Sequence, residues 1–280
     1  MKSFNKITEQ GNNLLLVDGL NMSFSFRGYT DYYKKYLDMI NSLKRSYKAD
    51  KLILCVDKGG STYRKGIYPE YKYNRKLKQD SQTEQERQEF EDFFKSFEAS
   101  LLYVAENSDY PILRYDGVEA DDSIAFICSK FKSLGKDHIW IMSSDRDLSL
   151  LVDDNVSQFS YVTRKETTKE NWHERFEFPM EDYISIKCLM GDAGDNVAGV
   201  PGIGPKRAVQ LVQEYGSTYD IIANLPIFSK YKYIDALNKF GAENLMLNYK
   251  LMDLVTYCEE AIGEDNCKKI DQTILTYLNS

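Results

Sequence analysis

Histidine is nearly absent from this chain, two residues in 280 (His138 and His173), and none of the five cysteines stands in a Cys-x-x-Cys pair. A zinc site built on those ligands is therefore excluded as an organising feature. Cys55, Cys128, Cys188, Cys258 and Cys267 are odd in number and scattered. They read as reduced residues of a cytoplasmic protein rather than a disulfide framework. Long apolar runs are lacking too. Leu14–Val17 and Ile53–Val56 are strand-length, far short of a membrane span. Met1–Asn13 holds no apolar segment of the kind a secretory leader needs, and no internal repeat or low-complexity tract is found. The expectation is a soluble globular protein with no membrane partner, long enough for one large domain or two small ones.

An overall positive charge is also missing. The net charge of −7 argues against a generic nucleic-acid binder. The average conceals an asymmetry, because between Lys58 and Lys78 the bases are Lys58, Arg64, Lys65, Lys72, Arg75, Lys76 and Lys78 and the only acid is Glu70. A basic strip beside a separate acidic pocket could hold a polyanion against metal ions, or be one of two unrelated solvated faces.

What the sequence does have is apolar strands that end in acids. Leu14–Val17 runs into Asp18, Leu52–Val56 into Asp57, and His138–Ser143 into Asp145 and Asp147. Pro111–Tyr115 leads to Gly117-Val118-Glu119-Ala120-Asp121-Asp122, three carboxylates at the start of an apolar helix, where the helix dipole tolerates them. In that helix Glu119 and Asp122 share a face, and Asp121 is expected to lean toward the core. Continuously apolar strands alternating with helices (one over about Tyr32–Tyr47) predict an α/β fold with a mostly parallel central sheet flanked by helices. In such sheets sites form beyond the carboxyl ends of the strands. Val156–Tyr161 is a further strand without acids. A helix from about Met180, with Pro179 at its start, runs to Met190 and delivers Asp192 and Asp195.

Two stretches carry basic chemistry. Tyr68-Pro69-Glu70-Tyr71-Lys72-Tyr73-Asn74-Arg75 opens a long polar, helix-prone segment reaching about Ala105. Lys72 and Arg75 suit phosphate contacts and Tyr71 a stacking face, although a solvated helix start would look the same. The later stripe Phe90, Phe93, Phe94 and Phe97 reads as packing. In Gly199-Val200-Pro201-Gly202-Ile203-Gly204, followed by Lys206 and Arg207, bare amides at a helix N-terminus suit a DNA phosphate. The same glycines also suit a tight turn between helices. The remainder from Tyr215 is helical and shows no chemistry.

Nine acids thus stand at strand ends or helix ends: Asp18, Asp57, Glu119, Asp121, Asp122, Asp145, Asp147, Asp192 and Asp195. Gathered without cations they would repel one another. Oxygen ligands without His or Cys select Mg²⁺ or Mn²⁺, and two such ions roughly 3.5–4 Å apart can serve one phosphodiester.

Taken in order, these motifs resemble the 5′-nuclease superfamily, specifically the flap endonuclease/5′→3′ exonuclease type carried by bacteriophages, from Leu14 to about Asn224. The resemblance implies that Asp18, Asp57, Glu119, Asp121, Asp122 and Asp145 form a first metal set, with Asp147, Asp192 and Asp195 supplying a second, for two or more Mg²⁺ ions (Mn²⁺ may substitute). It implies that Lys72 and Arg75 begin a helical arch, about 66–105, and reach the scissile phosphate with Tyr71 close to an unpaired base. Gly202, Gly204, Lys206 and Arg207 fall in a helix–hairpin–helix element, about 197–216, that grips the duplex, with a potassium ion at its turn. The implied division is a nuclease core over 1–195 and a helical part over 196–280. The implied substrates are DNA with 5′ flaps, 5′ ends or RNA primers, cut in replication and repair by a cytoplasmic monomer to leave a 5′-phosphate and a 3′-hydroxyl. If the chain is phage-encoded, the cytoplasm is that of a bacterial host. Two rivals are weaker. A non-catalytic junction binder leaves the complete acid set unexplained, and a small ribonuclease of the PIN type lacks the glycine turn and basic arch.

Overall fold

In the computed structural model, residues 11–30 and 32–280 are described; most of the Met1–Asn13 stretch expected to lack a leader lies outside them. The strands are β1 (Asn13–Asp18), β2 (Ala49–Cys55), β3 (Ile112–Leu113), β4 (His138–Met142), β5 (Val156–Ser160) and β6 (Lys165–Thr167). The helices are α1 (Gly19–Ser23), α2 (Tyr33–Ser46), α3 (Thr62–Ile67), α4 (Tyr73–Asp80), α5 (Glu84–Asn107), α6 (Ala120–Ser129), α7 (Phe131–Leu134), α8 (Tyr183–Met190), α9 (Pro205–Tyr215), α10 (Thr218–Ala223), α11 (Lys232–Met252), α12 (Leu254–Ile262) and α13 (Glu264–Leu278). By contacts the chain parts into two units, residues 11–61, 83–169 and 258–280 in one and 62–82 with 170–257 in the other. That cut differs from a boundary at 195/196.

The first unit is built on one sheet of strand order β3-β2-β1-β4-β5-β6. All neighbours are parallel except β6, which returns antiparallel on β5. Central β1 is apolar at every position from Leu14 to Val17 because both of its faces are covered. On one face Leu15 and Val17 meet Tyr36 and Ile40 of α2 and Phe97, Leu101 and Val104 of α5. Helix α6 packs on β1 and β2 and buries Ile124 and Ile127 fully. Helix α5 starts in a capping box between Thr83 and Glu86, which satisfies two of its open amides. Its Phe93 stacks on Phe24 at 5.0 Å, so the phenylalanine stripe is packing, as its spacing indicated. The order reverses between β1 and β4, the switch point at which doubly wound sheets leave a crevice beyond their strand ends.

The second unit is helical. Ile186 and Leu189 of α8, Leu211 and Val212 of α9, Ile221 of α10 and Leu237 and Leu245 of α11 share one core. After α8 the chain crosses itself closely. A Cβ on Gly199 would lie 1.9 Å from the Met190 carbonyl oxygen, and one on Gly191 (φ +69°) 2.3 Å from the Gly199 nitrogen. Only glycine permits that crossing. It closes the loop whose Asp192 and Val197 pair as an isolated antiparallel bridge. Among the described residues, no helix is long and apolar enough to cross a membrane.

Candidate active site

The sheet unit carries seven of the nine acids and the helical unit carries Asp192 and Asp195. In the sheet unit, Asp18 ends β1 and caps α1, accepting from the Asn21 amide at 3.1 Å. Its other oxygen accepts from the Ser143 hydroxyl at 2.8 Å, across the switch point at the end of β4. Asp57, just beyond β2, accepts the amide of Ala120 at 2.6 Å, an open donor of the first turn of α6. An antiparallel bridge between Lys58 and Val118 holds the two loops together. Asp145 accepts the Asp147 amide at 2.9 Å and donates its own amide to Ser143 Oγ at 3.1 Å.

Burial drives the electrostatics. Asp18 is 5% exposed, and its pKa is pushed up to about 7, first by burial and then by the charges of Asp57 and Asp145, against the bonds from Ser143 and Asn21. The Cys55 thiol is pushed up by burial and by Asp18, Asp121 and Asp57, which places Asp121 within the same field. Burial and Asp122 push the Cys258 thiol up to about 12. Asp122 is fully buried and Glu119 nearly so, while Asp121 is half-buried. The expected leaning of Asp121 toward the core is thereby corrected. Almost every side of α6 from Ala120 to Ile127 is covered, so its apolar spacing could not say which acid faced inward.

Among the described residues, no group of three or more His, Cys, Asp or Glu side chains closes around a point that would hold an ion. Like charges keep apart, and Asp18, Asp57 and Asp145 have each taken a protein donor. The donor set nevertheless fits a hard divalent cation. It is all oxygen, and Asp18 is buried with the charges of Asp57 and Asp145 adding to the burial that raises its pKa.

Sequence reasoning missed the frame behind these acids. The Gln158 amide donates to the carbonyls of Ser143 and Asp145 and accepts from Ser149 Oγ. Asn21 Oδ1 accepts from the Ser144 amide and from the Tyr161 hydroxyl. The one usable signal was a glutamine inside an otherwise buried strand, since buried amides must be satisfied.

In the helical unit Asp195 gathers the basic motif around itself. Its Oδ1 pairs with Arg75 at 2.7 Å, its Oδ2 accepts from the Tyr71 hydroxyl at 3.0 Å, and Lys72 Nζ lies 3.7 Å away. The Lys72 amide donates to the Asp195 carbonyl at 2.9 Å, from a left-handed backbone (φ 58°) that begins α4. Asp192 accepts from the amides of Gly194 and Asp195 and lies 3.7 Å from the Nζ of buried Lys187. Two expectations change here. Tyr71 is 4% exposed, packed with Cys188, Val197, Leu251 and Met252, so it fixes Asp195 instead of offering a base a stacking face. Arg64 is buried too, donating to the Leu251 carbonyl, and drops out of the basic strip.

At the glycine turn, Gly202 has φ +81° and Gly204 precedes α9 with Pro205 at its first position. Lys206 and Arg207 are exposed. Arg207 folds back to donate to the Gly202 carbonyl at 2.5 Å and lies 4.8 Å over the Tyr233 ring.

Residues 13–177 match the family described as 5′-3′ exonuclease, N-terminal resolvase-like domain, and residues 178–273 match 5′-3′ exonuclease, C-terminal SAM fold. The chain belongs to the 5′-3′ exonuclease family. Within it, the chain is 39% identical to the flap endonuclease of Escherichia phage T5 over 94% of its own length and 91% of that protein's. It is 29% identical to a 5′-3′ exonuclease of Aquifex aeolicus over 83% and 74%. The structure of the phage T5 flap endonuclease in a pseudo-enzyme–product complex with DNA and metal ions superposes with a TM-score of 0.91 at 38% identity, covering 96% of this chain and 100% of that one. A structure of the T5 5′-exonuclease with zinc ions bound gives 0.90 at 39% identity, over 95% and 99%. The mostly parallel sheet and the helical second half are thus those of this exonuclease family.

Proposed function

We propose that this member of the family hydrolyses phosphodiesters in DNA bearing 5′ flaps, 5′ ends or RNA primers, leaving a 5′-phosphate and a 3′-hydroxyl, as a Mg²⁺-dependent monomer in the cytoplasm. The observation that carries the reading is Asp18, buried at the switch point with its pKa pushed up to about 7 by burial and by Asp57 and Asp145. Asp18, Asp57, Glu119, Asp121, Asp122 and Asp145 would hold one ion, and Asp147, Asp192 and Asp195 would serve a second. Bound there, Mg²⁺ or Mn²⁺ supplies a water made acidic and neutralises charge on the phosphate.

The chain's own groups bind and orient. Lys72 and Arg75, at the foot of an arch spanning 66–105, offset charge on the scissile phosphate. Tyr71 keeps the Asp195 carboxylate in place. The amides at Gly202 and Gly204, with Lys206 and Arg207, grip the duplex backbone, and a potassium ion at that turn would share the load. Functionally, 1–195 is the cutting part and 196–280 the part that holds duplex. Cleavage of an end-labelled 5′-flap duplex with and without Mg²⁺ tests the reading. Folded protein that leaves the flap intact at saturating enzyme and Mg²⁺ would sink it.

A further inference from the structure

Just before α11 the chain displays aromatic rings that the core does not use. Phe228 is 95% exposed and Tyr231 51% exposed. Their segment is held firmly. Ile227 is buried in the helical core, and Asn238 clasps its backbone twice, accepting its amide at 2.8 Å and donating to its carbonyl at 2.7 Å. The exposed rings are therefore presented on an anchored segment.

Tyr231 belongs to a stack of rings flanked by cations. Tyr231 and Tyr233 lie 5.5 Å apart and nearly parallel, at 17°. Arg207 covers Tyr233 at 4.8 Å, and Lys230 stands 5.7 Å from the Tyr231 ring. Arg207, Tyr231, Lys232 and Tyr233 line a concavity of about 380 Å³. From Ile227 to Ile234 the sequence contains two lysines and no acid.

A tyrosine pair with a lysine close to one of its rings, and an exposed phenylalanine three residues before it in the chain, has the two elements of a single-strand platform: ring faces for bases and ammonium groups for the backbone. Fully paired DNA offers phosphates to the lysines but leaves Phe228 with nothing to stack on. We propose that Phe228 and Tyr231, flanked by Lys230 and Lys232, form a binding surface for an unpaired stretch of the DNA substrate, distinct from the duplex grip assigned to the glycine turn. The proposal rests on the nuclease reading only for the substrate class.

The test compares the full-length chain with Phe228→Ala/Tyr231→Ala, without divalent metal, by fluorescence anisotropy on a blunt DNA hairpin and on the same hairpin with a single-stranded thymidine tail at either end. Both changes are at exposed rings, and a thermal melt confirms that the variant stays folded. The expected result is about tenfold weaker binding of a tailed hairpin, with the blunt hairpin changed less than about twofold and Tyr231→Phe behaving as wild type. Unchanged affinity for both tails would overturn the proposal. So would equal weakening of the blunt hairpin, which would make this a duplex contact, or a wild-type dimer that the variant dissociates, which would make it a self-association face. Flap cleavage by the wild type in Mg²⁺, measured separately, decides the nuclease reading whatever the tails show.

Discussion

Arg75 and Asp195 stand 2.7 Å apart, an ion pair joining a residue proposed to meet phosphate to one proposed to meet metal. Each occupies the other while neither ligand is bound. Removing the carboxylate charge should free Arg75 and Lys72 together. Asp195→Asn is therefore expected to bind flap DNA in EDTA as tightly as wild type or a few-fold (~2–10) tighter, as one repulsive charge is lost, while cleaving it far more slowly. Weaker binding in EDTA would show that Asp195 organises the DNA site rather than restraining it.

For Arg75→Ala the expectation is about a 10²-fold loss of cleavage rate, the scale typical of losing one donor to developing charge. Single-turnover cleavage on a 5′-flap duplex measures it. A rate within about threefold of wild type would remove Arg75 from the catalytic group.

Asp18 predicts a pH dependence with a definite sign. Its folded pKa of about 7 lies above the ordinary 3.8, so between those values the folded state holds more proton than the unfolded one. Metal-free stability should fall as pH rises through this window. Asp18→Asn should escape the penalty. At pH 8 in EDTA it should exceed wild type by about 1–4 kcal/mol, the scale of a shift of up to three units, and the advantage should vanish near pH 3.5. Thermal melts across pH check this. Equal melting temperatures at pH 8 would mean that Asp18 is not held against its charge.

Two glycines of the same neighbourhood should answer differently to alanine. At Gly199 a methyl would sit 1.9 Å from a backbone oxygen, so Gly199→Ala should cost more than about 3 kcal/mol or prevent folding. At Gly204 nothing lies within 4 Å and φ is −105°. Gly204→Ala should therefore melt with wild type, within about 0.5 kcal/mol, yet weaken duplex binding if the backbone approaches DNA there. Denaturant titration and duplex binding separate the two effects.

Much of this was legible in the residues. Strands β1, β2 and β4 lie on their apolar runs, because a strand covered on both faces is mostly apolar; β5 lies within Val156–Tyr161 although its Ser157, Gln158 and Ser160 are buried polar residues. Edge strand β6, Lys-Glu-Thr, has no such signature and went unread, since its pairing with β5 is decided by the fold rather than its composition. The acids were found by position, at strand ends. Their arrangement was not, because Asp121 and Asp122 differ in burial through the packing around α6. Tyr71 misled for a related reason. A tyrosine among lysines reads as a ligand platform, whereas its burial is set by Leu251 and Met252, some 180 residues downstream. Asn21 and Ser143 could not be singled out, since polar residues acting through hydrogen bonds carry no periodicity, whereas Gln158 left the one signal of an amide inside a buried strand.

Strand β3 is only two residues long and pairs with β2 only at Leu54 and Cys55, so at Leu52 β2 lies against β1 but has no strand on its β3 side. The amide there is taken by the hydroxyl of Tyr277 in α13, while Lys51 reaches the Tyr277 carbonyl and Lys130 reaches Asp271. The sheet unit is thus closed by a helix that follows the strand it covers by more than 200 residues. On the ribosome, strands made early must wait, with that edge of β2 open, until α13 has been made. Chains arrested before Tyr277 should accordingly be caught by chaperones or proteases as unfinished sheets, even though every candidate carboxylate has already been made.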